Sequence, residues 1–239
     1  MALDPLMGIS RRQVDRGIYT WPALTAVMIV FAGFARTYYL KSFFGAPALS
    51  RLVHLHGLVM TLWFTLFAVQ VWLVKIGRVA LHRKLGVVGA LLAALVVGVG
   101  TTTALTAART YCPPGVPRLA VLSVTLGDLV GFSILVPLAL VFRRQAPTHK
   151  RLILLASLSI LTAAVARIPL DFIATGGVEL FFCLTDLCIV ACVSLDAMKN
   201  RRLHPAFLWG CLFVFSEQLF RVYLSGAPHW LHHVAWLTE

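Results

Sequence analysis

Charged side chains are scarce in this chain. Only 13% of its 239 residues are Asp, Glu, Lys or Arg, against roughly 25% in soluble domains. That shortage excludes an ordinary water-soluble globule, which needs a charged shell around its core. Cysteine is sparse and poorly arranged for chemistry. Cys112, Cys183, Cys188, Cys192 and Cys211 form no Cys-x-x-Cys pair, and four of the five fall in apolar runs. There a thiol acts as a small hydrophobe, so neither a disulfide framework nor a cysteine-built metal site is expected. No lysine lies in the interior of an apolar run, which argues against a retinal Schiff base. There is no Cys-x-x-Cys-His, so any haem would be held without a covalent link. The N-terminal "MALDPLMGISRRQVDRGIY" has no apolar stretch before its basic residues and no small-residue cleavage site. It does not read as a secretory signal.

What is present is grease. Apolar residues make up 59% of the chain, and they gather in seven runs at about 19–36, 53–74, 85–108, 119–142, 151–169, 178–197 and 205–224. About 20 helical residues cross the hydrocarbon of a bilayer. The spacing therefore predicts an all-α integral membrane protein, a seven-helix bundle over 19–224. A cytoplasmic segment, 1–18, precedes it, and a segment lying in the outer interface, 225–239, follows. The last segment holds "HWLHHVAWL", whose two tryptophans suit the membrane boundary. Runs five and seven are short, and their terminal Arg167 and Arg221 are expected to snorkel outward.

The formal net charge of +12 does not point to nucleic acid, because the basic residues stand in short clusters between apolar runs. With the N-terminus inside, fourteen of the 21 basic residues fall on the cytoplasmic side and seven outside. That bias predicts N-terminus in and C-terminus out. "HRKLGVVGALLAAL" and "HKRLILLASLSIL" open runs three and five, and "LHPAFLWG" opens run seven more loosely. Either the runs are parallel two-helix repeats, or each odd-numbered span needs the same polar edge. Ala90, Ala94 and Gly98 recur every four residues in run three, the spacing of close helix packing in lipid.

Ionisable groups inside spans are costly and mark function by default. Asp128, Asp186 and Glu217 lie within runs four, six and seven; Arg36, Arg167 and Arg221 lie at outer ends; His54 and His56 enter run two from outside. The topology thus gathers most unusual polar groups into the outer half. The bland alternative is that each arginine pairs with a carboxylate and locks helices together. His54 and His56 are two residues apart, about 200° around a helix, so they share a site only if the helix starts after them.

Three chemistries fit. In the first, histidines ligate haem or another redox metal, with arginines on the propionates; His54 and His56 are the outer candidates, and His82 and His149, each followed by a basic pair, the inner ones. In the second, a membrane zinc hydrolase uses His54, Asp128 and His229, His232 and His233; zinc ranks behind haem because the last three histidines follow the final span. In the third, a small-solute or proton-coupled carrier uses the three buried carboxylates, and "ARIPLDFIATGG" breaks run five as carrier helices are broken.

"FARTYYLK", "LVHLHGLVMTLWF", "LHRKLG" and "THKRLILL" together resemble a group of uncharacterised bacterial inner-membrane proteins. The "HKRL" helix start is also similar to small membrane proteins that help assemble cytochrome oxidases. That second resemblance implies a haem or copper setting. The expectation is a multi-pass bacterial inner-membrane protein with a haem- or metal-linked redox or respiratory-assembly role and its site in the outer half. Haem b or copper would be bound by His54 and His56, with Arg36 and Arg167 as anion partners and respiratory-chain proteins as neighbours. The carrier, the hydrolase and an accessory subunit without chemistry of its own are the alternatives. Substrate, metal and oligomeric state are not legible.

Overall fold

A computed structural model of the chain describes residues 17–110 and 118–227. All regular structure among them is helical, and seven stretches are long and apolar enough to cross a membrane. α1 (Thr20–Phe34) continues through a π turn at Ala35–Tyr39. α2 is Arg51–Lys75, α3 Val79–Thr110 and α4 Arg118–Val141. The fifth span is split into α5 (Ala146–Ser159) and α6 (Thr162–Val165). The short α7 (Asp171–Ala174) leads into α8 (Gly177–Asn200), and α9 is Pro205–Gly226.

The fifth span is the axis of the bundle. Its most apolar window is 72% buried, whereas the other spans are 17–28% buried. α1, α4, α8 and α9 pack on α5, while α2 and α3 close the circuit between α1 and α4. Leu154, Leu155, Ala156, Leu158 and Leu161 are almost wholly enclosed. The peripheral spans keep Trp21, Met28, Leu91, Leu187 and Tyr223 outward. Such a surface suits acyl chains and not water.

Contacts between termini define the two ends. Tyr19 before α1, Arg151 near the start of α5 and Asp196 near the end of α8 meet one another. The α2–α3, α4–α5 and α8–α9 turns, at 75–79, 144–146 and 200–205, therefore share this end. They carry Lys75, Arg78, Arg143, Arg144, Arg201 and Arg202. We call it the basic end.

Two expectations need correction. Ala94 and Gly98 face outward, and a Cβ on Gly98 would meet nothing. The inward stripe of α3 is Gly89, Ala93, Val96 and Gly100, with Gly89 near Leu66 and Gly100 against Leu129. The inward stripe mixes spacings of four and three, and only the neighbours' placement distinguishes it from Ala90, Ala94 and Gly98. Arg221 does not snorkel; it is 3% exposed and turned inward.

One close helix crossing is made by a glycine. A Cβ on Gly33 of α1 would collide with the backbone carbonyl of Ala164 in α6. A carbonyl on the enclosed axis cannot swing aside as a side-chain tip can. Gly33→Ala is expected to cost about 1–3 kcal/mol by overpacking, read as a lower melting temperature in detergent than a Gly98→Ala control. Equal melting of the two variants would disprove the contact.

Candidate functional site

Among the described residues three polar groupings are built into this apolar frame, and each joins several helices. The first lies in the half away from the basic end. Arg221 of α9 donates from Nη1 to Asp128 Oδ1 of α4 at 2.6 Å and to the Val124 carbonyl at 3.0 Å. Its Nη2 lies 2.6 Å from Glu217 Oε2, one turn earlier on α9. Its guanidinium also stands over the Phe182 ring, 4.8 Å from the centroid. Gly127 makes the room, since a Cβ there would collide with the arginine side chain. Asp186 of α8 lies in reach of Gln218 and Arg221. Asp128 and Glu217 thus meet on Arg221, while Asp186, half-buried, stands by Gln218, a residue the sequence did not suggest.

The second grouping lies at the basic end. Arg151 forks onto Asp196, with Nε and Nη2 within 2.7–2.9 Å of the carboxylate oxygens. Tyr19 donates its hydroxyl to Asp196 Oδ1 at 2.6 Å, and Arg151 Nη1 donates to the Pro147 carbonyl at 2.7 Å. Every strong donor and acceptor is matched, as a lasting buried ion pair requires. His204 beside it caps α9, its Nδ1 accepting from Ala206 N at 3.1 Å. Burial, with Arg151 next, pushes this imidazole below its usual range, so the neutral ring is the form that accepts. The outer half therefore does not hold all the unusual charge. Asp196 and Arg151 stand at the edges of their apolar runs, where they read as interfacial. Their pairing was recoverable only from the alternation of spans, which puts both edges on one side.

The third grouping is a histidine pair at the basic end. His82 of α3 and His149 of α5 have ring centroids 6.4 Å apart and planes 79° apart. His149 Nδ1 is 2.8 Å from the Ala139 carbonyl. A carbonyl only accepts, so Nδ1 carries the hydrogen and Nε2 keeps a free lone pair. The Nδ1 of His82 is buried without a partner, while its carbonyl accepts from Gln70 Nε2 at 3.2 Å. Of the basic residues next to the two rings, Arg151 is committed to Asp196. Lys150 lies over the Tyr19 ring at 4.8 Å, and Arg83 and Lys84 are exposed.

The outer histidines do not converge. Ser50 caps α2 by accepting from Val53 N at 3.3 Å, so the helix is already running at Arg51. His54 and His56 are both inside it and turn to different neighbours. His54 is exposed, its ring 5.8 Å from that of Tyr38. His56 is half-buried, with an unpartnered Nδ1 and Arg167 within electrostatic reach. Arg36 and Arg167 are exposed at this end, over the rings of Phe44 and Phe34 at 5.3 and 5.1 Å. His229, His232 and His233 lie outside the described residues. Among the described residues no three His, Cys, Asp or Glu side chains are grouped to hold a metal, and a catalytic zinc takes three.

The axis is interrupted in mid-bundle. α5 stops at Ser159 and α6 resumes at Thr162, well before the Pro169 that marked the break in the sequence. Ser157 and Thr162 flank the gap, nearly fully buried, with hydroxyls that have no partner. Taken together the fold and these groupings define an all-helical, multi-pass membrane protein. The chain matches no family model, no curated protein and no solved structure.

Proposed function

We propose that the protein has a metal- or haem-linked redox or respiratory-assembly role in a bacterial inner membrane. His82 and His149 are its ligand pair, with the basic end facing the cytoplasm. The observation that carries this is their separation. Two imidazoles holding one metal from opposite sides, through metal–nitrogen bonds of about 2.0 Å and with each ring centre about 1.1 Å beyond its nitrogen, would have centroids roughly 6.2 Å apart. The pair stands at 6.4 Å. The Nδ1–H of His149 is anchored on a carbonyl, the outer-shell bond that orients a ligating imidazole. His82 and His149 would hold the iron of haem b or, as the smaller alternative, a copper ion, and either would supply one-electron redox chemistry. His82 and His149 replace His54 and His56 as first choice because their rings come within 6.4 Å across two helices, whereas His54 is exposed and turned to Tyr38. The orientation rests on the positive-inside bias.

The test is an absorption spectrum with metal analysis of the purified protein. An intense Soret band is expected, lost in His82→Ala and in His149→Ala and kept in His54→Ala. A colourless wild type with one equivalent of copper would move the proposal to the bare ion. A colourless, metal-free protein that has been supplied with haem and copper would overturn it.

A second reading, a small-solute carrier, is favoured by one observation: the interrupted axis with its two unpartnered hydroxyls. Irregular backbone at membrane depth persists where protein or a water-filled path surrounds it. Ion-dependent uptake by proteoliposomes, abolished in Thr162→Val, would support that reading; flux equal to empty liposomes would remove it.

A further inference from the structure

The basic end carries more charge than the fold uses. The α2–α3 turn exposes Lys75 and Arg78, with Arg83 and Lys84 exposed early in α3. The α4–α5 turn exposes Arg143 and Arg144, and the α8–α9 turn Arg201 and Arg202. None of these eight is in an ion pair among the described residues. Asp196 is the one described acid of that end, and Arg151 and Tyr19 already hold it. The other described acids lie within spans or at the opposite end. Like charges left uncompensated repel one another, and an anion placed among them relieves that repulsion.

The three turns form one surface. α5 begins between the other two: His149 reaches His82 beside the α2–α3 turn, and Arg151 reaches Asp196 before the α8–α9 turn. His204 lies within electrostatic reach of both Lys150 and Arg202. The neighbours of the cations identify the anion. Trp72, Ile76 and Leu81 are exposed around Lys75 and Arg78, Val141 stands beside Arg143, and Met198 and Leu203 flank Arg201 and Arg202. An acidic face of a soluble protein offers these apolar side chains nothing. A lipid leaflet takes them among its acyl chains while its phosphates meet the cations. Six of the eight are arginines, whose fork meets two oxygens of one phosphate. Arg201 is also the one non-glycine residue with a positive φ, 52°, among the described residues. Glycine takes that conformation at a helix end without cost, so the cation is kept there at a conformational expense.

We propose that the basic end is a binding surface for anionic phospholipid. Arg143, Arg144, Arg201 and Arg202 engage headgroup phosphates, and the flanking apolar side chains meet acyl chains. The occupant is lipid of the leaflet on that side, and its headgroups tie the turns together. The surface depends on neither the histidine pair nor a bound metal.

Melting of the full chain in nanodiscs tests this. Phosphatidylcholine alone is compared with an equal mixture of phosphatidylglycerol and phosphatidylcholine carrying the same acyl chains. The wild type should melt several degrees higher in the mixture, and high salt should remove most of that gain by screening. Arg201→Gly should melt at or above the wild type in phosphatidylcholine, because glycine adopts that φ freely, yet gain less from phosphatidylglycerol. A merely structural arginine would lower melting in both lipids alike. Adding Arg143→Gln, Arg144→Gln and Arg202→Gln to it should abolish the gain; should that chain fail to fold, Arg201→Gly alone decides. Arg51→Gln, which removes an exposed arginine at the opposite end, should keep the gain. No gain in the wild type, the result a soluble acidic partner predicts, would overturn the proposal. So would a gain kept in full without these arginines, a gain lost equally in Arg51→Gln, or an equal gain from inorganic phosphate added to phosphatidylcholine nanodiscs.

Discussion

Asp196→Ala will lower stability by about 3–5 kcal/mol, the cost of stranding one partner of a buried ion pair. Arg151 and Asp196 are 3% and 2% exposed at their side chains, and the pair is bidentate. Without the carboxylate, a guanidinium stays enclosed beneath the Phe207 ring, 5.6 Å from its centroid. The Pro147 carbonyl is then the one acceptor left to it among the bonds described, and the Tyr19 hydroxyl loses its partner too. The grouping ties α1, α5 and α8 together, so the loss should spread to the whole bundle. In detergent the expected fall in melting temperature is on the order of 10 °C. Asp171→Ala, on an exposed carboxylate of α7, should leave melting unchanged. Combining Tyr19→Phe, Arg151→Met and Asp196→Leu should recover most of the loss, because apolar replacement of a whole buried pair is often neutral. Melting of Asp196→Ala alongside Asp171→Ala would show that the pair holds nothing.

Arg221→Leu should be comparably damaging, for the opposite reason. Here the cation leaves and two acids remain. Asp128 and Glu217 lose their donor, and the Val124 carbonyl loses a bond as well. The expected cost is again about 3–5 kcal/mol. It should be relieved by adding Asp128→Asn and Glu217→Gln, which remove the stranded charges without changing shape. Lys in place of Arg221 should rescue only in part, since a single ammonium cannot reach across the fork that spans both carboxylates. If Arg221→Leu melts with the wild type, the triad is incidental. The helix-locking role expected for any single outer arginine is thus what the geometry supports for Arg221. Arg36 and Arg167 instead lie exposed against aromatic rings.

How much of the site was readable varies residue by residue. Asp128, Asp186 and Glu217 stood out because a carboxylate inside an apolar run has few harmless explanations. Gln218 did not, since an uncharged amide beside a glutamate carries no such signal. His82 and His149 were visible as candidates, but 67 positions of chain separate them, and no spacing rule reports a contact at that range. His54 and His56 read as a pair because their nearness in sequence is visible and the start of the helix is not. Ser50 settles that start through one bond from Val53.

The sequence by itself determined that seven helices are built to cross a bilayer and which turns are basic. Both follow from local composition read against the thickness and polarity of a membrane. It also singled out Asp128, Asp186 and Glu217 as carboxyl groups set inside apolar runs. Only the tertiary structure decided who shelters them. The choice of the fifth span as axis, the inward turn of Arg221 and the meeting of His82 with His149 depend on the rotation of each helix about its own axis. In lipid, every outward face is equally apolar, so hydropathy barely constrains that rotation; it is set by close packing at points such as Gly33 against Ala164 and by the need of each buried charge to find its partner.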